Sequence, residues 1–222
     1  YLGREGYLAS PDLYMSMMPT AESVETIVTI FTEDEVQTIR DYVGSATTPL
    51  GIRDSAIMLL GCDMGMRGCD IVGLRLQDID WKKQYIRIRQ DKTDRDAVLA
   101  MPTAVGNAVF RYLRDARHKG TDSDQVFLSI DAPYHPIKRS VCYETLHRVL
   151  PDRNVQGSGF HVTRKTFSTN RLRNGVNPSM IADAMGQAGT ASLTPYLSLD
   201  NERMSLCPIS LEELSISVKG GI

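Results

Sequence analysis

The sequence lacks long apolar runs and has few cysteines. No stretch approaches 18 consecutive apolar residues and no secretory signal opens the chain, so we expect no membrane span and no export. The four cysteines form no Cys-x-x-Cys pair, which excludes a disulfide scaffold. A chain of 222 residues buries about 70% of its unfolded surface and needs no disulfide or metal to hold its core. Cys62 and Cys69, seven apart in a helical pattern, are predicted to be reduced core thiols on one helix face.

The sequence also lacks the usual ligand-binding signatures. Neither G-x-x-x-x-G-K-[ST] nor G-x-G-x-x-G occurs, which removes the common nucleotide-binding sites. No His-Glu-x-x-His occurs, and His118, His135 and His147 form no pair at metal-ligand spacing. The sequence therefore predicts neither a nucleotide cofactor nor a bound metal.

The charge is divided unevenly along the chain. The formal net charge of −2 argues against a nucleic-acid partner, since phosphate binders are usually basic. The average hides an acidic start, with net −6 over residues 1–50, a basic centre, with net +6 over residues 51–199, and an acidic end, with net −2 over residues 200–222. The basic centre is either an anion-binding surface or a set of solvated faces, and charge alone leaves both open.

Hydrophobic periodicity predicts a mainly α-helical chain. Thr32 to Glu35 form a capping box, in which the Thr32 hydroxyl and the Glu35 carboxylate satisfy backbone N–H groups at a helix start. This first helix is expected to end near Gly44, and a helical turn is expected to open at Arg67 after a break at Gly65. Further helices are predicted over residues 52–62, 104–117, 140–149, 163–173 and 178–185.

One stretch changes from helical to alternating periodicity. Residues 85–89 alternate, residues 97–101 are apolar, and turn-forming residues lie between them, so we expect a small antiparallel hairpin or three-stranded sheet with Lys92 at the tip. Residues 1–30 are predicted to be a linker with one short strand at 26–30. The chain starts at Tyr1, which indicates a fragment with sequence missing upstream.

Five motifs occur in a fixed order along the chain. They are Arg67 within Gly65-Met66-Arg67-Gly68-Cys69-Asp70-Ile71-Val72-Gly73-Leu74, the hairpin Lys92, His161-x-x-Arg164, Met185-Gly186-Gln187 and Tyr196. The set resembles the catalytic domain of the tyrosine recombinases, the phage integrase family, over residues 31–200. The resemblance implies an integrase-like core that cuts and rejoins DNA through a 3′-phosphotyrosyl intermediate. It also implies integration and excision of a mobile element, such as a phage or a conjugative transposon.

The reaction gives each motif residue a role. A phosphodiester in transfer carries extra charge on its nonbridging oxygens, which the guanidinium groups of Arg67 and Arg164 would stabilise. Tyr196 would be the nucleophile, His161 would take its proton or orient the phosphate, and Lys92 would protonate the leaving 5′ oxygen. Gln187 departs from the family's His or Trp and can donate a hydrogen bond but cannot transfer a proton. No metal is required, because the arginines supply the charge.

Partners follow from the resemblance. Double-stranded DNA is the expected substrate, bound by a homo-tetramer with accessory DNA-bending proteins, on the nucleoid in a prokaryotic cytoplasm. Residues 201–222 are expected to be a tail that packs either on a neighbouring protomer or on its own. Eight basic residues are candidate DNA contacts: Arg75, Arg87, Arg89, Arg95, Lys138, Arg139, Lys165 and Arg171.

Alternatives remain for single residues and for the whole chain. Arg67 and Asp70 could form a plain surface ion pair, and Lys82 or Lys83 could replace Lys92 as the functional amine. Three other tyrosines compete with Tyr196 without its spacing: Tyr112, Tyr134 and Tyr143. A DNA-binding relative with impaired catalysis and a type IB topoisomerase are the rival functions.

Overall fold

The fold is built around one helix that is buried on all sides. The computed structural model describes residues 29–90, 95–153 and 159–185. Helix α2 (Pro49–Met64) begins with Pro49 in its first turn, where the Thr48 side chain accepts a hydrogen bond from the Gly51 N–H. Residues 51–61 are all buried, and Ile57 and Leu60 are fully so. A helix that is buried on every face belongs at the centre of a core.

Most of the other helices pack against α2. Helix α1 (Glu33–Ser45) starts with the predicted capping box, and helix α3 (Gly68–Gly73) follows α2 closely. Four more helices follow: α4 (Thr103–Arg111), α5 (Ser140–Val149), α6 (His161–Arg173) and α7 (Pro178–Ala184). Helices α1, α3, α4, α5 and α6 contact α2, whereas α7 packs on α6 and on the sheet.

Helices α2 and α6 approach each other closely at Gly61. A Cβ atom placed on Gly61 would lie 2.8 Å from both Phe160 Cζ and Thr163 Oγ1. A side chain at this position would therefore force Phe160 and Thr163 to shift. This contact fixes the first turn of α6, which carries His161 and Arg164, against α2.

The sheet has three antiparallel strands in the order β1 (Ile79–Asp80), β2 (Tyr85–Gln90) and β3 (Arg95–Ala100). Ile86 pairs with Leu99 and both are buried, while Arg87 pairs with Val98 on the exposed face. The period of two therefore places an apolar face on the core and a basic face in solvent. The predicted fold class, mainly helical with a small antiparallel sheet, is confirmed.

Several predictions about individual elements were wrong. The helix predicted over 104–117 is regular only to Arg111 and continues as a π-helical turn, Tyr112–Ala116. Cys62 and Cys69 do not share a helix face, because α2 ends at Met64 and Cys69 belongs to α3. They and the third described cysteine, Cys142, are free thiols. Residues 29–30 are not strand, and the rest of the predicted strand at 26–30 lies outside the described residues.

A long connection before α5 was not foreseen at all. The Arg117 guanidinium donates hydrogen bonds to the carbonyls of Ser123, Gln125 and Val126 and so shapes this loop. Val126 then donates to the Leu74 carbonyl at 2.8 Å, which joins the loop to the end of α3.

Among the helices in the described ranges, none is long and apolar enough to cross a membrane.

Candidate active site

The turn that presents Arg67 depends on a glycine in the left-handed region. Gly65 ends α2 with φ +64°, and the Met66 N–H donates to the Leu60 carbonyl at 3.2 Å. A Cβ atom on Gly65 would lie 2.7 Å from Phe167 Cδ1. The chain therefore reverses tightly against α6 and leaves Arg67 at the N-cap of α3.

The Arg67 side chain contacts an acidic residue, Asp70, one turn further along α3. Its guanidinium lies 3.9 Å from the Asp70 carboxylate, and the side chains are 14% and 1% exposed. A surface ion pair was the alternative reading of this spacing, and it is wrong, because the carboxylate is buried. The buried Asp70 carboxylate instead contacts the guanidinium of Arg67 from within α3.

Arg67 and His161 line one cleft. The cleft has a volume of about 740 Å³, and His161 lies on it as the first residue of α6. The first turn of α5 and the residue before it form another part of its lining, with Arg139, Ser140 and Tyr143. The structure thus brings together residues that are 94 positions apart in the sequence, as the predicted constellation requires.

Arg164 lies behind the cleft and is only 2% exposed. Its Nη1 donates to the Gly65 carbonyl at 2.7 Å and its Nη2 to the Met185 carbonyl at 2.8 Å. It is not among the residues that line the cleft. The guanidinium therefore ties the turn before Arg67 to the end of α7, a role that the sequence did not indicate.

Three of the predicted site residues, Lys92, Gln187 and Tyr196, lie outside the described residues. Lys82 and Lys83, the alternatives to Lys92, are exposed in the turn between β1 and β2.

The three alternative tyrosines differ in their surroundings. Tyr112 is 1% exposed, its hydroxyl accepts a hydrogen bond from the Leu128 N–H at 3.0 Å, and burial raises its pKa, so it cannot serve as a nucleophile. Tyr134 stacks on His118 with ring centroids 3.8 Å apart. Tyr143 is 50% exposed and lines the cleft. Nothing in the sequence separated Tyr143 from the other two.

The candidate DNA contacts are spread over several surfaces. Arg87 and Arg89 are exposed on the outer face of β2, and the side chain of Arg95 lies outside the described residues. Arg75 is already bonded to Asp124 at 2.9 Å. The guanidinium of Arg171 lies over the Phe167 ring, at a second cavity.

The remaining three candidates are Lys138, Arg139 and Lys165. Lys138 is exposed, Lys165 is half-buried, and only Arg139 lines the cleft.

The cleft also contains two thiols but no metal-binding cluster. Burial raises the pKa of Cys142 to about 12, so this thiol stays neutral near neutral pH. Cys69 is half-buried beside Arg67. In the part of the chain that the structure describes, no group of three or more histidine, cysteine, aspartate or glutamate side chains could hold a metal ion.

Comparisons with known proteins identify the family of the chain. The Phage integrase family matches residues 29–203. A Sinorhizobium fredii protein described as an integrase/recombinase, y4gC, is 31% identical over 191 residues, which cover 85% of this chain and 98% of the relative. Tyrosine recombinase XerD of Lacticaseibacillus casei is 24% identical over 208 residues, with 92% and 69% covered. The chain spans only 39% and 37% of two further S. fredii relatives, y4rF and y4rA.

Solved structures share the fold at low identity. A XerH site-specific recombinase bound to its palindromic difH substrate has a TM-score of 0.71 at 14% identity, with 84% of this chain and 54% of the other covered. The Tn1549 transposon integrase in complex with transposon right end DNA has a TM-score of 0.66 at 14% identity, with 83% and 68% covered. The resemblance seen in the sequence is confirmed, and the chain belongs to the phage integrase family of tyrosine recombinases.

Proposed function

We propose that this chain is the catalytic domain of a site-specific DNA recombinase that integrates and excises a mobile element. The observation that carries the proposal is the single cleft in which Arg67 and His161 meet, with Arg164 bonded to the turn behind Arg67. Family membership supports the reaction class, and the structural neighbours include recombinases bound to DNA. The substrate is double-stranded DNA.

The chemistry follows from the motif residues, of which Arg67 and His161 line the cleft. The Tyr196 hydroxyl attacks a DNA phosphorus and the P–O bond to the 5′ oxygen breaks, so the chain is joined to the 3′ end of the cut strand. His161, which is exposed on the cleft, takes the phenol proton or orients the phosphate, and Lys92 protonates the leaving oxygen. The ester retains the bond energy, so the reverse attack by a 5′ hydroxyl rejoins DNA.

Arg67 and Arg164 have different roles in holding the phosphate. Arg67 offers its guanidinium to the nonbridging oxygens directly, and the same guanidinium contacts the Asp70 carboxylate. Arg164 is the second arginine of the clamp that the family resemblance implies, and two of its N–H groups hold the Gly65 and Met185 carbonyls. Gln187 adds a neutral hydrogen-bond donor where the family has His or Trp, which lowers the rate rather than changing the reaction.

An apolar cavity supports assembly into a tetramer. It has a volume of about 400 Å³, lies between β3, α6 and α7, and has Val98 and Met180 at its edge, 60% and 64% exposed. We propose that residues 201–222 of a neighbouring protomer cover it, so that four protomers exchange tails on DNA. We further propose that accessory DNA-bending proteins assist the reaction and that the protein acts on the nucleoid.

The proposal is tested by trapping the covalent intermediate. The longest available form of the protein is incubated with a pool of nicked duplexes, and DNA that migrates with protein in SDS is isolated and sequenced. We expect adducts from the wild type and none from Tyr196→Phe. Tyr143→Phe is the comparison, because Tyr143 is the alternative tyrosine on the cleft, and at a saturating protein concentration it should still form adducts. Loss of adducts in Tyr143→Phe alone would overturn the assignment of the nucleophile.

The rival functions give different results in the same system. DNA retained only without SDS would indicate a binding protein without catalysis. A type IB topoisomerase would relax supercoils without exchanging strands between two sites, whereas a recombinase yields joined products. Arg164→Lys should fail in either enzyme, because an ammonium group cannot reproduce the planar fork that reaches two carbonyls and a phosphate.

A further inference from the structure

The cleft has a second wall that the proposed reaction does not use. Arg67 and His161 line the cleft from the starts of α3 and α6, whereas the second wall consists of Arg139, Ser140 and Tyr143 at the start of α5. Arg139 is the residue before α5 and Tyr143 lies four residues further, so both side chains project from the same side of the first turn. The second wall thus consists of a guanidinium, a phenol and a hydroxyl group.

The groups on the second wall are available to a ligand. Many of the protein's arginines are committed to internal partners: Arg53, Arg75, Arg111, Arg114, Arg117, Arg148 and Arg153. In residues 29–90, 95–153 and 159–185, by contrast, the Arg139 guanidinium makes no hydrogen bond or ion pair, and the residue is exposed. Tyr143 is 50% exposed and touches His147 with its ring, at 4.4 Å between centroids.

The cleft is larger than a single phosphate group requires. Its volume of about 740 Å³ lies within the range of pockets that enclose whole drug-sized ligands. A single phosphate on Arg67 and His161 leaves the second wall unoccupied. Successive phosphates on one DNA strand would instead bring charge to both walls at once.

We propose that the second wall binds the DNA phosphate next to the one that is cut. The Arg139 guanidinium pairs with its nonbridging oxygens, and the Tyr143 hydroxyl donates a hydrogen bond to the same group. Both are positioning residues, because they hold the strand in register while the chemistry occurs on the first wall. This inference rests on the proposed function and specifies how the substrate is held.

The test removes the negative charge of a DNA linkage and the positive charge of Arg139, separately and together. A duplex recovered from the adduct selection is synthesised with a neutral methylphosphonate at the linkage on each side of the cut in turn. The dissociation constant is measured in the Tyr196→Phe background, with and without Arg139→Ala. We expect Arg139→Ala to weaken binding of unmodified DNA by about 10- to 100-fold, the range of a charge-assisted hydrogen bond. On DNA neutral at one flanking linkage the same substitution should cost little.

Lys138→Ala is the matched control, because Lys138 is the adjacent exposed cation but lines a different cavity, with Arg53 and Glu144. It should weaken binding equally on unmodified and flank-modified DNA. Tyr143→Ala should weaken binding of unmodified DNA but cost little on DNA that is neutral at the same linkage. Tyr143→Phe should show a smaller loss of affinity, because only the hydroxyl group is removed.

Equal losses for Arg139→Ala on every DNA would overturn the proposal, since they would mean a general charge effect. Failure of the proposed function is separate: the wild type would then form no SDS-stable adduct, and the coupling would be measured on a duplex selected by binding alone.

Discussion

Replacing Gly65 should damage both the stability of the domain and the placement of Arg67. Gly65 has φ +64°, and an L side chain in that region costs about 1 to 2 kcal/mol. Its Cβ would also lie 2.7 Å from Phe167 Cδ1, and forcing an extra atom into a packed contact costs about 1 to 3 kcal/mol. We therefore expect Gly65→Ala to lower the free energy of unfolding by about 2 to 5 kcal/mol.

Urea denaturation, followed by circular dichroism, measures the effect on stability. A loss of this size lowers the melting temperature by roughly 5 to 20 °C for a domain of 150 to 250 residues. Gly65→Asn separates the two costs, because asparagine tolerates positive φ but keeps the Cβ that meets Phe167. Gly44→Ala is the control, since a Cβ at Gly44 meets nothing within 4 Å, and its stability should be unchanged or slightly higher.

The functional consequence is expected to follow from the backbone. The Gly65 carbonyl accepts the Arg164 bond at 2.7 Å, so a shifted turn weakens that bond and displaces Arg67, two residues further. Gly65→Ala should then lose adduct formation even under conditions where it is fully folded. An unchanged denaturation midpoint for Gly65→Ala would refute the strain argument, and a folded variant with normal adduct formation would refute the link to Arg67.

Four further outcomes are expected. Gly61→Ala should lower the denaturation midpoint although alanine favours helix, because its Cβ would lie 2.8 Å from two side-chain atoms of neighbouring residues. Asp54→Ala should cost about 3 kcal/mol in the same assay, because it leaves Arg148, bonded at 2.6 Å, without its carboxylate. The raised pKa of Cys142, about 12, predicts that iodoacetamide at pH 8 leaves this thiol unmodified in the folded protein, as mass spectrometry would show. Because this pKa is higher folded than unfolded, the thiol's contribution to stability should be present below pH 9 and decline as pH rises from 9 towards 12.

Local signals explain which elements could be predicted. The capping box at Thr32 and the apolar spacing of α5 are written within a few residues, and both helices appear where they were expected. Helix α2 runs longer than predicted at both ends, because Pro49 starts it under a Thr48 cap and Gly65 ends it. These boundaries come from caps, which periodicity alone does not reveal.

Long-range contacts explain what could not be predicted. The π-helical turn after α4 and the loop that Arg117 organises depend on bonds to carbonyls elsewhere in the fold. The prediction that Cys62 and Cys69 share a helix face was wrong because Gly65, with positive φ, ends the first helix before Cys69. The position of Tyr143 on the cleft likewise depends on where α5 lies relative to α3 and α6, which no spacing within its own segment encodes.

The hydrogen bonds of Arg164 connect two motifs that are far apart in the sequence. One guanidinium bonds the carbonyl that precedes the Arg67 segment and the carbonyl of Met185, after which the chain continues towards Gln187 and Tyr196. Because the residue is 2% exposed, any change in these bonds acts on both segments at once. The spacing from His161 to Arg164 then has two physical reasons. It places His161 on the cleft, and one turn further along α6 it places Arg164 where it holds both the turn that precedes Arg67 and the Met185 carbonyl.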